Sequence, residues 1–130
     1  MRRLAVLAAL LFAACSAPPP KPSEGMAQQA KMDKATKTYA DCITAGAASI
    51  PLEDEAVGTL SNRVVLACKA ERRALLADVI AFHQIGHPKF SIDQSKAVAE
   101  ASVATIEDEL RDQNVITLFR RQQAALAKAK

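Results

Sequence analysis

Apolar residues recur every three or four positions along most of this chain, and sharp breaks separate the runs. Between Gly25 and about Ala48, and just beyond, Met32, Ala35, Tyr39, Cys42, Ile43, Gly46 and Ile50 fall on one stripe, while Lys31, Lys34, Lys37 and Asp41 lie mostly off it. That spacing marks one face of a helix. The stretch "SIPLEDE" then breaks the pattern. Pro51 disfavours helical geometry at Ile50. Glu53, Asp54 and Glu55 are expected in the first turn of a second helix, where the helix dipole favours anions. A calcium loop would need spaced oxygen ligands, and none follow.

The second helix is predicted from about Glu53 to Gln84. Val57, Leu60, Val64, Cys68, Leu75, Val79 and Phe82 make its stripe, which Val65, Leu76 and Ile80 widen. A helix apolar over so broad an arc packs between two neighbours. "IGHPKFS" is the next break: Gly86 suits a helix end and Pro88 cannot continue it. Ser91 and Gln94 then form a capping box, with Phe90 placed to pack back as a staple. A third helix runs from Ile92 toward the C-terminus with a seam of Ala99, Val103, Ile106 and Leu110. "RDQN", Arg111 to Asn114, interrupts the seam. Val115, Leu118, Phe119 and Leu126 resume it on a shifted face, so the region is one long helix or two segments kinked near Asn114. The pattern predicts an all-α fold: a small three-helix, possibly four-segment, antiparallel bundle over residues 26–130 with a long C-terminal helix.

The first 25 residues read differently. Arg2 and Arg3 precede Leu4 to Ala14, eleven uncharged and almost wholly apolar residues. This run is too short to span a bilayer, which takes about 20 residues. A basic start, a short apolar core and small residues after it describe a secretory signal peptide over residues 1–14. The stretch "LFAAC", Leu11 to Cys15, resembles the lipobox of bacterial lipoproteins. Ala13 and Ala14 match its small positions, and Phe12 stands where leucine is usual. The resemblance implies that Cys15 is acylated and becomes the first mature residue, and that Ser16 directs the protein to the outer membrane. It covers only the first fifteen residues. The alternative is ordinary cleavage after Ser16 or Ala17, of which the second would set the cut against constrained backbone near Pro18. After Cys15, "SAPPPKPSEG" has four prolines in ten residues and no large apolar side chain. Such a segment stays extended and semi-rigid, as a tether over residues 15–25 would be.

Removing fourteen of 130 residues leaves 116, one small domain, and removing Arg2 and Arg3 lowers the formal charge from +3 to +1. Neither that charge nor a secreted location suits nucleic-acid binding, which needs a clustered basic face. Of three cysteines, lipidation of Cys15 leaves Cys42 and Cys68 as a pair. An oxidising compartment favours a disulfide between them, against the alternative of two buried thiols. A hairpin turning near Pro51, however, would set Cys42 opposite Val57 to Leu60. The offset to Cys68 would be on the order of 10–15 Å at 1.5 Å per residue, beyond the reach of a disulfide. The bridge therefore requires a longer connection, about Ala47 to Gly58, or helices that cross. An alanine-rich chain without tryptophan builds a small core, so such a bridge would matter more here than in an aromatic-rich domain.

Candidate chemistry is sparse. His83 and His87 are spaced like a helical zinc pair, with Asp78 near in sequence, but Gly86 and Pro88 are expected to end the helix between them. Capping and surface exposure are their expected roles. No serine has a nucleophile-elbow setting. The second acidic triplet, Glu107 to Glu109, is expected on the exposed side of helix three. Arg120, Arg121, Lys128 and Lys130 are expected in a solvated, fraying helix end rather than against an anionic surface. The expected function is non-catalytic: an accessory or binding lipoprotein on the periplasmic face of the outer membrane, with an envelope protein as partner and no cofactor. The competing readings are a metal- or small-ligand-binding protein using His83 and His87, and a structural lipoprotein assembling through its C-terminal helix.

Overall fold

The computed structural model describes residues 23–52 and 54–129; the expectations for the leader, for Cys15 and for residues up to 22 lie outside it, as do Glu53 and Lys130. The chain forms α1 (Glu24–Ser49), α2 (Val57–Ala67), α3 (Lys69–Gly86) and α4 (Ile92–Lys128). The fold is all-α, with a long C-terminal helix as predicted. The hydroxyl of Ser23 accepts from the Met26 N–H and caps α1, so the helix opens one residue before the expected start at Gly25. At its other end Ile50 is extended, with φ −56° and ψ 135°, the geometry that a following proline imposes.

The second predicted helix is instead two. Residues 50–56 form a connection, and α2 begins only at Val57 after an extended Ala56 that offers no side-chain cap. Asp54 and Glu55 therefore lie ahead of the helix and not in its first turn: the Glu55 carboxylate accepts from Arg63 at 2.7 Å and its carbonyl from Gln122 at 2.8 Å, which pins the connection to α2 and α4. The helix is broken again at Cys68, whose φ and ψ are −91° and 21°. Its N–H is shared between the carbonyls of Val64 and Val65, both at 3.2 Å. Any residue can take up this bridge conformation, so no glycine or proline announces the break. By contrast, α4 runs unbroken for 37 residues through Asn114. The fourth segment thus arises in the middle of the chain and not near its end.

Antiparallel packing sets α1 beside the α2–α3 unit, and α4 runs back along both. Cys42 and Cys68 are joined by a disulfide with their Cα atoms 6.0 Å apart. The long connection resolves the offset: it moves Cys42 past α2 to the break that precedes α3. Around the bridge, Tyr39, Ile43, Val64, Leu75 and Val103 are each at most 2 % exposed. A smaller cluster of Ala47, Leu60 and Leu118 closes the end near the connection. At the opposite end, the capping box of Ser91 and Gln94 forms as predicted, with Gln94 N–H donating to Ser91 Oγ and Ser91 N–H to Gln94 Oε1. Phe90 lies against the rings of His83 and His87 at the end of α3.

Close approach of α1 to α2 depends on Gly46. A Cβ placed there would lie 2.8 Å from Val64 Cγ1, whereas one at Gly58 would meet nothing within 4 Å. Valine is stiff at χ1 and cannot easily swing away. Gly46→Ala is therefore expected to destabilise by about 1–2 kcal/mol, after allowing for the better helix propensity of alanine. Gly58→Ala should stabilise by about 0.4–1 kcal/mol. Urea denaturation of the two variants checks the pair; equal stabilisation by both would show that the contact at Gly46 is absent.

Candidate functional site

Among the described residues, Glu107 is the polar group on which the most side chains converge. It sits on the inner face of α4, four residues after the buried Val103. The Tyr39 hydroxyl on α1 donates to its Oε2 at 3.1 Å, and Arg72 Nε on α3 donates to the same oxygen at 2.7 Å. Arg111, one turn further along α4, donates to Oε1 at 3.2 Å. Arg72 also reaches Glu100 Oε2 at 3.1 Å. Three helices thus converge on one carboxylate. This overturns the expectation that the second acidic triplet is solvated: Glu107 is largely buried, while Asp108 and Glu109 face outward.

Tyr39 is fully buried. Burial, then the negative charge of Glu107 and the hydrogen bond to it, push its phenol up to about 12; Arg72 and Arg111 pull the other way without cancelling the effect. The hydrogen bond to Glu107 holds the Arg72 guanidinium above its already high value, against the opposing effect of burial. Tyr39 is therefore a neutral donor, Arg72 a cation, and Glu107 an acceptor with both oxygens occupied. Such a set ties helices together and orients cations. Beside it lies an open groove of about 470 Å³ whose walls include Arg72, Glu107 and Arg111.

α3 ends at Gly86, between His83 and His87, as expected; the two side chains nevertheless stay together, because the His87 N–H caps the helix by donating to the His83 carbonyl at 2.8 Å. The two rings lie 4.6 Å apart, and His83 Nδ1 is 3.1 Å from Ser95 Oγ on α4. Asp78 turns instead to α1, where it accepts from Gln28 Nε2 at 3.1 Å through both its carboxylate and its carbonyl. Among the described residues, the three-member set with metal-ligand spacing is Cys42, Cys68 and Glu71. Its two sulfurs are bonded to each other, whereas a metal is held by thiolate.

Further polar ties were not legible as sites. Asn114 is buried and donates to Ser61 Oγ at 3.1 Å, so it belongs to the α4 seam that it was expected to interrupt. The inner face continues from Val103 through Asn114 to Leu118. The expected shift of face is wrong: Phe119 and Leu126 are exposed. Arg121 is no part of a fraying end, because Nη1 donates to the Ala47 carbonyl at 2.6 Å and caps the C-terminal turn of α1. The available signal for Glu107 was its place in the seam between Val103 and Leu110, with arginine one turn on. A lone acid in an apolar stripe looks like a boundary residue unless its partners on other helices are known.

No known protein family, characterised protein or solved structure matches the chain.

Tyr39 is the single tyrosine and there is no tryptophan, so tyrosinate absorbance reports it directly. The native protein should titrate near 12 and the denatured chain near the ordinary value of 10.0. Because the folded value is the higher, the contribution of Tyr39 to stability is complete below pH 10.0 and is lost as the pH rises toward 12. Glu107→Gln should lower the native value while burial keeps it above the denatured one. A native titration that coincides with the denatured one would contradict the hydrogen bond to Glu107.

Proposed function

We propose that this chain is a lipid-anchored accessory protein of the bacterial envelope, non-catalytic, held at the periplasmic face of the outer membrane through Cys15. The observation that carries the reading is "LFAAC" followed at once by a proline-rich stretch. Three features support it. α1 begins at Glu24, two residues after the last proline of that stretch. Among the described residues, no helix is long and apolar enough to cross a membrane, so in this reading the acyl chains at Cys15 provide the attachment. The disulfide between Cys42 and Cys68 agrees with an oxidising compartment.

The architecture gives such an anchor a direction. The start of α1, the end of α3 and the start of α4 share one end of the bundle, through the pairs Gln28–Asp78 and His83–Ser95. The end of α1, the connection and the end of α4 share the other, through Arg121–Ala47 and Gln122–Glu55. A tether at the N-terminus would set the histidine end nearest the membrane. The last turns of α4, about 50 Å away along the helix, would face the periplasm. A second reading, assembly through α4, rests on Ile116, Phe119 and Leu126, which are more than half exposed and lie on one side of that helix.

Cys15→Ser should move the protein from the membrane to the soluble fraction or leave an unprocessed precursor, and mature wild type should carry acyl mass on Cys15. An unmodified chain that starts at Ala17 would disprove the anchor. Sedimentation of the released protein separates the two readings: a monomer fits the accessory role, and a concentration-dependent oligomer fits assembly.

A further inference from the structure

Charge around Glu107 is not balanced on the side that faces the groove. The walls come from both sides of the α2–α3 break and from α4, and include Val65, Leu66, Lys69, Arg72 and Arg111. Glu107, the carboxylate in the wall, already accepts from Tyr39, Arg72 and Arg111. Each guanidinium carries five N–H donors. Arg72 uses Nε on Glu107 and Nη2 on Glu100, which leaves Nη1. Arg111 uses Nη2, and its Nε is buried with no hydrogen-bond partner, a group that is costly to leave unsatisfied. Lys69 opens α3, is exposed, and has no carboxylate partner among the described residues. Even with Glu100 and Glu107 both counted, the three cations leave an excess of one positive charge.

The groove also has an apolar wall. Leu66 is 67 % exposed beside the buried Val65, next to the cations. At about 470 Å³ the space is within the range of small-molecule sites, which combine an apolar lining with a few converging polar groups. Converging unused donors select an oxyanion, because charge-assisted hydrogen bonds to carboxylate or phosphate are the strong ones. The adjacent Leu66 selects a substituent that leaves water.

We infer that the groove between the α2–α3 break and α4 binds a small amphiphilic oxyanion, a phosphate monoester or carboxylate on a short apolar chain, with Lys69 and Arg111 on the anion and Leu66 on the chain. Arg72 is a positioning residue, held in the wall by Glu107. The same chemistry occurs in a free amphiphile and in a lipid headgroup. The site does not depend on the anchoring of Cys15, and neither result decides the other.

The test is a titration of the full chain at low salt, followed by NMR, with hexyl phosphate, inorganic phosphate and hexanol as probes. Hexyl phosphate should saturate and shift the amides of Leu66, Lys69 and Arg111. Phosphate should bind more weakly, and hexanol should leave those amides unmoved. Lys69→Glu should weaken hexyl phosphate by at least about tenfold. Leu66→Ser should weaken hexyl phosphate and leave phosphate unchanged. Both side chains are exposed, and an unchanged thermal midpoint establishes that the variants are folded. Vesicles containing phosphatidic acid, a lipid phosphate monoester, distinguish the sources: binding that needs Lys69 assigns the anion to a headgroup, and binding of soluble hexyl phosphate alone assigns it to a free amphiphile. No saturable binding, equal binding of hexanol, or hexyl phosphate bound as tightly by Lys69→Glu would overturn the site. Equal affinity for phosphate and hexyl phosphate would overturn the part given to Leu66.

Discussion

The disulfide between Cys42 and Cys68 sets the register on which the rest of the bundle is built. It joins the middle of α1 to the single residue that separates α2 from α3. Once that point is fixed, antiparallel geometry dictates the neighbours on either side. Gly46 meets Val64 toward the connection, and Gln28 meets Asp78 toward the histidine end. The crosslink is needed because the apolar core is slight. Its largest members are Tyr39, Ile43, Leu60, Leu75 and Leu118, and much of the remaining buried surface is valine and alanine. A bridge closing a loop of this size acts mainly on the unfolded chain, removing conformations that a small core could not outweigh.

α4 carries no disulfide to the other helices and is held to a large extent by polar contacts. Glu107 gathers donors from all three helical layers, and Asn114, Arg121 and Gln122 each reach a backbone or hydroxyl oxygen on another element. Such contacts add less net stability than their number suggests, because each group gives up water. They do discriminate strongly among registers, since a slip of one turn along α4 would carry Glu107 away from Tyr39 and Arg72 and leave the Arg72 guanidinium without that counter-charge. The cost of that mispairing, more than the strength of the correct pairing, explains how a weakly apolar helix of 37 residues finds one position. The arrangement that positions α4 also aims Arg72 and Arg111 along the groove, so packing and the proposed binding chemistry share the same side chains.

Elements with local causes were legible in the sequence. Pro51, Gly86 with Pro88, and the Ser91–Gln94 box mark their boundaries through backbone rules that act within a few residues, and the structure follows each of them. Apolar spacing likewise located Tyr39, Ile43, Val64, Leu75 and Val103 in the core. What could not be read depends on contacts distant in sequence. The break at Cys68 uses a conformation open to any residue. Glu107 and Asn114 look like interruptions of a stripe because their partners Tyr39, Arg72 and Ser61 lie on other helices. Arg121 looks solvated until the carbonyl of Ala47 is placed beside it. Even the disulfide, expected from cysteine parity, conflicted with a tight hairpin; only the seven-residue connection from Ile50 to Ala56 reconciled the two.

The dependence of the fold on its crosslink is most directly tested by comparing the oxidised protein with the Cys42→Ala/Cys68→Ala variant in urea, with hydrogen exchange on both. The account predicts no free thiol at these positions in the folded wild type. It predicts a loss of about 2–4 kcal/mol in the variant, with protection falling most along α1. A variant as stable as wild type with α1 equally protected, or two titratable thiols in folded protein purified without reductant, would contradict it.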